Sequence, residues 1–353
     1  MNAQGYSIAV AGATGLVGST MLTVLEERNF PVKSLTLLAS KRSAGTQMTF
    51  RGETYTVQEL THDSFAGIDI ALFSAGGTAS KEFAPSAAQA GCVVVDNSSA
   101  WRMHEHVPLV VPEVNPHALK GHHGIIANPN CSTIQLVVAL KPLHEAFGLK
   151  RVVVSTYQSV SGAGNKGVEA LQAEVKSANP DVKYEHSPFA MAAAYNTMFH
   201  SIKEQYGFSE EETKMLNETK KIMELQGLKI AVTCVRVPTL GAHGESVNIE
   251  TAKPASPKDI ASVLAKAPGV VVMDEPHKNI YPTPRTADGR DEVFVGHIRP
   301  DDSVELGANH GAYLWVVSDN IRKGAATNAV QIAERLVCDG TLPITPLAQG
   351  EVF

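Results

Sequence analysis

At 353 residues, 44% of them hydrophobic and 19% charged, the chain has a globular composition that excludes wholesale disorder, and its length suits about two domains. A net charge of -6, from 30 basic against 36 acidic residues, argues against a general nucleic-acid binder. No run approaches the roughly 18 apolar residues that cross a bilayer, and the first residues lack the basic-then-apolar layout of a secretory signal. Four scattered cysteines (Cys92, Cys131, Cys234 and Cys338) form no CxxC pair, which fits a reducing, cytoplasmic setting.

In chain order, Tyr6 to Ala11 reads as a buried strand and Leu16 to Arg28 as a helix. Leu35–Ala39, Ile68–Phe73 and Cys92–Val95 are further strands, with an alanine-rich helix from Ala79 to Ala90 between the last two. Alternation of this kind implies a parallel, Rossmann-like sheet with helical crossovers. From Arg151 the texture changes to long β-branched strands, Arg151–Tyr157, Leu228–Val237 and Ser246–Thr251, with helices at Asn165–Ser177 and Glu210–Leu225. This predicts an α+β second domain with a mixed sheet. The expected division is 1–130, completed by a C-terminal helix within 320–353, and 131–319.

Gly12-Ala-Thr-Gly15-Leu-Val-Gly18 joins the first strand to the first helix. Glycines there permit a tight turn and bring backbone N–H groups to a pyrophosphate at the helix N-terminus. The second strand then ends in Ser40-Lys41-Arg42-Ser43, with cations and hydroxyls where an NAD site would usually place a carboxylate. That turn suits a 2′-phosphate, so NADP is the expected cofactor.

Asn130 is a good N-cap for the amphipathic run from Ser132 to Leu140, which puts Cys131 in a first helical turn. A helix N-terminus favours thiolate, and so a nucleophile. The other three cysteines fall in strand runs or at a helix end, where packing explains them. Ser155 to Gly164 is a polar, glycine-containing stretch after a strong strand, and Arg236 and His243 flank a turn between two strands. Arg236 suits a carboxylate and His243 suits proton transfer. His104-x-His106 and His122-His123 lack the carboxylate or thiol that would complete a metal site, so no metal is expected.

These motifs, with Asp96-Asn-Ser-Ser-Ala-Trp-Arg102, Val111-Pro-Glu-Val-Asn115, Asn128-Pro-Asn-Cys-Ser132 and Trp315-Val-Val-Ser-Asp-Asn320, resemble the aspartate-semialdehyde dehydrogenase family, bacterial branch. The resemblance implies Cys131 as nucleophile, His243 as acid/base and Gln158 as the residue that orients substrate. It implies Arg236, Glu211, Arg102, Lys214 and Asn130 for substrate and phosphate. For NADP it implies Gly12, Thr14, Gly15, Leu16, Val17, Gly18, Ser40, Arg42, Ser43, Ser161, Gly162 and Asn320. It also implies a homodimer or a dimer of dimers, acting on a small molecule and not on nucleic acid or membrane. Two readings compete: N-acetyl-γ-glutamyl-phosphate reductase, and a non-catalytic NADP-binding redox sensor. The chain departs from the family at Asn196-Thr-Met-Phe-His-Ser-Ile202, which lacks the usual proline and aspartate, and at Gly244, where serine is frequent.

Overall fold

The computed structural model describes residues 5–177, 182–345 and the single positions Asn179, Leu347 and Phe353. The chain begins with β1 (Tyr6–Ala11), α1 (Leu16–Glu27), β2 (Val32–Ala39), the hairpin β3 (Gln47–Phe50) and β4 (Glu53–Thr56), and β5 (Gln58–Glu59). It continues through β6 (Ile70–Phe73), α2 (Gly77–Gln89), β7 (Val93–Asp96) and β8 (Ile125–Ala127). Next come α3 (Cys131–Phe147), β9 (Leu149–Gln158), α4 (Asn165–Ser177), β10 (Met198–Phe199), α5 (Glu210–Met223), β11 (Lys229–Arg236) and β12 (His243–Thr251). Last are α6 (Pro257–Leu264), β13 (Val270–Val272), α7 (Pro284–Ala287), β14 (Val293–Pro300), β15 (Gly311–Ser318) and α8 (Thr327–Cys338). Two compact units result: residues up to Asn130 with those from Ala325 onward, and Cys131–Gly324.

The first unit is built on an all-parallel sheet of order β5-β2-β1-β6-β7-β8. Strands covered on both faces read as continuous apolar runs, and β6 is buried along its whole length. Strand order reverses between β1 and β6, the switch point at which such sheets bind ligands. One core joins Ile8 and Val10 of β1, Met21 and Leu25 of α1, and Val330, Ile332 and Leu336 of α8. Arg28 adds a two-bond ion pair to Glu334, at 2.8 and 2.7 Å. A π turn over Arg322–Ala326 leads into α8, so the helical stretch runs from Arg322 to Cys338 inside the 320–353 segment.

The second unit holds a seven-stranded mixed sheet of order β10-β11-β9-β12-β15-β14-β13, as the long β-branched strands predict. On β9, Val152, Val154, Thr156 and Gln158 point inward while Tyr157 is exposed. On that outer face the Tyr157 and Trp315 rings lie 5.5 Å apart. A Cβ on Gly244 would sit 2.5 Å from the Trp315 ring, which accounts for glycine after His243. Strands β3, β4, β5, β8, β10 and β13 are only two to four residues long and show no period, and the eight-residue β14 and β15 carry no strand reading in the sequence either. No helix among the described residues is long and apolar enough to cross a membrane.

Candidate active site

Within the second unit, α3 starts at Cys131, β9 ends at Gln158, β11 ends at Arg236 and β12 begins at His243. Register pairs His243 with Gln158 and Arg236 with Gln158, so three strand ends present polar side chains side by side. Cys131 Sγ lies 3.3 Å from His243 Nε2. The Cα and Cβ of Cys131 leave so little room that a Cβ at Gly324 would stand 2.9 Å from the latter. This glycine has no motif of its own to announce it.

Helix α5 supplies the charged groups. Its capping box, in which Ser209 and Glu212 bind each other's backbone N–H groups, fixes where the helix begins. Glu211 and Lys214 then share one face, with Lys214 Nζ donating to Glu211 Oε2 at 3.1 Å. The other oxygen of Glu211 accepts from Gln158 Nε2 at 3.0 Å, and Gln158 Oε1 accepts from Thr156 Oγ1 at 3.2 Å. The Gln158 amide is therefore oriented from both ends.

Ser159 ties the remaining members together, a role that no sequence signal marked because main-chain atoms carry it. Its N–H donates to His243 Nδ1 at 3.0 Å, and its carbonyl accepts from Arg236 Nη1 at 2.6 Å. Its hydroxyl donates to Asn320 Oδ1 at 3.1 Å and lies 2.9 Å from Ser161 Oγ. A Cβ at Gly162 would press on Arg236 Nη1 at 2.7 Å, so glycine there leaves the guanidinium its place. His243 is fully buried, and burial, with the nearby Arg236 charge, pulls its pKa down to about 3. The imidazole is neutral at physiological pH.

The altered 196–202 segment also belongs to this unit. Met198 and Phe199 form β10, an edge strand antiparallel to β11, with Met198 opposite Arg236. Glu174, 2% exposed, shapes the preceding loop by accepting from the N–H groups of Tyr184, Ala193 and Ala194. On the inward face of β12, two residues past His243, Glu245 is fully buried. Burial holds its carboxyl well above the usual range, and the Gln135 side chain offsets this only in part.

In the first unit, the turn from Gly12 to Gly18 follows β1 at the carboxyl edge of the sheet. Gly12 has φ +83°, and a Cβ there would meet Ser74 O at 2.4 Å; one on Gly18 would meet Gly12 O at 2.1 Å. Both are glycine by necessity, and they leave Gly15, Leu16 and Val17 to open α1. The first N–H groups of a helix have no intrahelical acceptor and can bind an anion. Lys41–Ser43 form a 3-10 turn just past β2, with Ser40, Lys41 and Arg42 exposed. Arg102 is 7% exposed and donates to the carbonyls of Asn128 and Asn97, both at 3.0 Å. Asn130 is buried immediately before α3.

The His122-His123 pair holds the C-terminal segment. His122 Nε2 and His123 Nδ1 lie 2.8 and 2.7 Å from the carbonyls of Thr341 and Thr345. Among the described residues no group of three or more metal-ligating side chains occurs.

Two family models match the chain: "Semialdehyde dehydrogenase, NAD binding domain" over residues 7–122 and "Semialdehyde dehydrogenase, dimerisation domain" over 140–323. An aspartate-semialdehyde dehydrogenase from Aquifex aeolicus is 55% identical over 344 residues, 96% of this chain and 100% of the relative. Among solved structures, aspartate semialdehyde dehydrogenase II from Vibrio cholerae, complexed with ASA, has a TM-score of 0.90 at 45% identity, covering 96% of this chain and 99% of that one. The Candida albicans aspartate semialdehyde dehydrogenase with NADP has a TM-score of 0.74 at 27% identity, covering 96% and 99%.

Proposed function

This chain belongs to the aspartate-semialdehyde dehydrogenase family, and from that premise we propose that it reduces L-β-aspartyl phosphate to L-aspartate 4-semialdehyde and phosphate with NADPH. The observation that carries this reading is the constellation in the second unit. A cysteine at a helix start contacts an imidazole at 3.3 Å, beside an oriented amide, a carboxylate–lysine pair and a partly buried guanidinium.

Each residue has a task set by the charge it carries. Arg236 would grip the substrate's α-carboxylate and Glu211 its α-ammonium, while Lys214 and Arg102 would hold phosphate. Gln158 would orient the acyl group, with Asn130 as a further substrate contact. Cys131 would attack the acyl carbon: the S–C bond forms, the C–O bond to phosphate breaks, and its electron pair leaves with phosphate. NADPH, when bound, supplies the hydride that reduces the resulting thioester. The thiohemiacetal on Cys131 then collapses, its C–S bond returning an electron pair to sulfur as the aldehyde leaves. His243 is the acid/base partner in this cycle.

For the cofactor, Gly12, Thr14, Gly15, Leu16, Val17 and Gly18 would take the pyrophosphate and Ser40, Arg42 and Ser43 the 2′-phosphate. Ser161, Gly162 and Asn320 hold the family's remaining cofactor positions. The glycine cradle and a turn without a carboxylate fit NADP in particular. We assign cofactor binding to residues 1–130 with the C-terminal helix, and catalysis and dimerisation to the second unit. The outer sheet face that carries Tyr157 and Trp315 would make the homodimer contact. Four cysteines, none of them in a disulfide and one the nucleophile, suit a reducing cytoplasm.

Cys131→Ala tests the reading. Turnover should disappear while NADP affinity stays within about twofold, because the thiol makes the covalent bond and does not hold the cofactor. Residual turnover, or a folded variant that no longer binds NADP, would count against it.

A further inference from the structure

We propose that Glu245 is a positioning residue for Cys131 and His243, a neutral acid that donates a hydrogen bond to Gln135 and so ties α3 to β12 directly behind the reacting pair. The proposal rests on the reading of Cys131 as nucleophile and deepens it.

Two spacings set the geometry. Gln135 follows Cys131 by four residues on α3, so both side chains lie on one helical face, a turn apart. Glu245 follows His243 by two residues on β12, so both point to the inward side of the sheet. Cys131 meets His243 at 3.3 Å, and the next layer inward brings Gln135 beside Glu245. Gln135 also reaches the main chain of β12, where its Nε2 donates to the His243 carbonyl at 3.4 Å.

Donors and acceptors decide the state of the acid. A carbonyl only accepts, so it draws Nε2 toward itself and leaves Gln135 Oε1 to seek another donor. That Oε1 and both oxygens of Glu245 are buried, and none has a hydrogen-bond partner among the described residues. A carboxylate cannot join them, because all three atoms would be acceptors. A carboxyl that keeps its proton donates to Oε1 and satisfies both side chains. Its surroundings agree. Glu245 lies opposite Thr156 of β9 and Val316 of β15, and Cys234 of β11 follows beyond Thr156. Burial pushes the Cys234 thiol up, so it stays neutral, and none of the three is a cation that would favour an ionised Glu245.

Helix α3 carries the sulfur and β12 the imidazole. A bond between their inner residues therefore holds the spacing at which Cys131 and His243 meet. Its loss would loosen that contact, and with it the setting that favours thiolate at Cys131.

Alkylation of Cys131 by iodoacetamide, followed across pH and assigned by peptide mapping, tests this. Glu245→Met has similar length and no donor. It should slow alkylation at pH 7 by roughly tenfold and move the profile toward alkaline pH. Glu245→Gln still donates to Oε1 and should restore the parent profile within about twofold. Gln135→Met cuts the same bond from α3 and should reproduce the shift, which keeps the test open where Glu245→Met does not fold. Parent-like profiles in the methionine variants, or Glu245→Gln as impaired as Glu245→Met, overturn the proposal. Carbon-13 NMR of protein labelled at glutamate, with the Glu245 signal identified by its loss in Glu245→Gln, should show a protonated carboxyl at pH 7. A carboxylate there overturns the proposal as well. None of these readouts needs turnover, so a failed enzyme assay beside the expected profiles would fault the functional reading and leave the positioning role standing.

Discussion

Arg42 shows how one side chain can set a cofactor preference. It stands exposed in the turn after β2, where an NAD enzyme places a carboxylate to accept from a ribose hydroxyl. A guanidinium offers paired donors to a phosphate and little to a hydroxyl. Arg42→Glu should therefore raise the KM for NADPH by roughly tenfold or more, the cost of losing one charge-assisted contact. The KM for NADH should change far less. Steady-state kinetics with both cofactors checks this, and equal effects would show that the 40–43 turn does not meet the 2′-phosphate. Arg42 was legible in the sequence because its position follows from the end of a predicted strand. Ser159 was not, because an N–H group belongs to every residue type except proline and leaves no mark in a sequence.

At the scale of elements, the contact of β12 with α3 contains a carboxyl that ionises against the fold. Glu245 is fully buried and its native pKa lies well above the usual value. A carboxyl of this kind contributes its full stability below the unfolded value of about 4.3 and loses it progressively as pH rises toward the native value. Glu245→Gln removes the ionisable proton and keeps a polar side chain of similar size. Its melting temperature relative to the parent should therefore climb from pH 5 to pH 8, which thermal unfolding in a series of buffers would reveal. A difference that stays constant with pH would mean that Glu245 does not titrate abnormally.

The same elements show what sequence patterns can and cannot carry. Strand β1 and helix α4 lie where their apolar runs and periodicity placed them, since burial on a fixed face writes a regular pattern. Strands β3, β8 and β13 have only three or four residues, too few to show a period. Gly244 had no reading in sequence because its cause, the Trp315 ring, comes from a strand 71 positions later. Glu245 gave no warning either: a glutamate in a strand reads as a solvent-facing residue until an α-helix covers it.

For the whole molecule, the second unit has one sheet face packed under helices and another bearing exposed aromatic surface, with Tyr157 at 41% exposure beside Trp315. A central aromatic residue commonly dominates an interface. Tyr157→Arg should therefore weaken self-association by roughly tenfold or more, seen as a shift toward monomer in sedimentation at micromolar concentration. An unchanged distribution would place the dimer contact elsewhere. Acyl-phosphate chemistry on Cys131 is open to a direct test by nicotinamide absorbance. Purified protein is mixed with aspartate semialdehyde and NADP, with phosphate present in one cuvette and omitted from the other. NADPH should form only with phosphate present, because only phosphate can resolve the thioester to the acyl phosphate. Equal formation without phosphate would mean that water resolves it and that Lys214 and Arg102 are misassigned, while no formation by folded, NADP-binding protein would contradict the proposed activity itself.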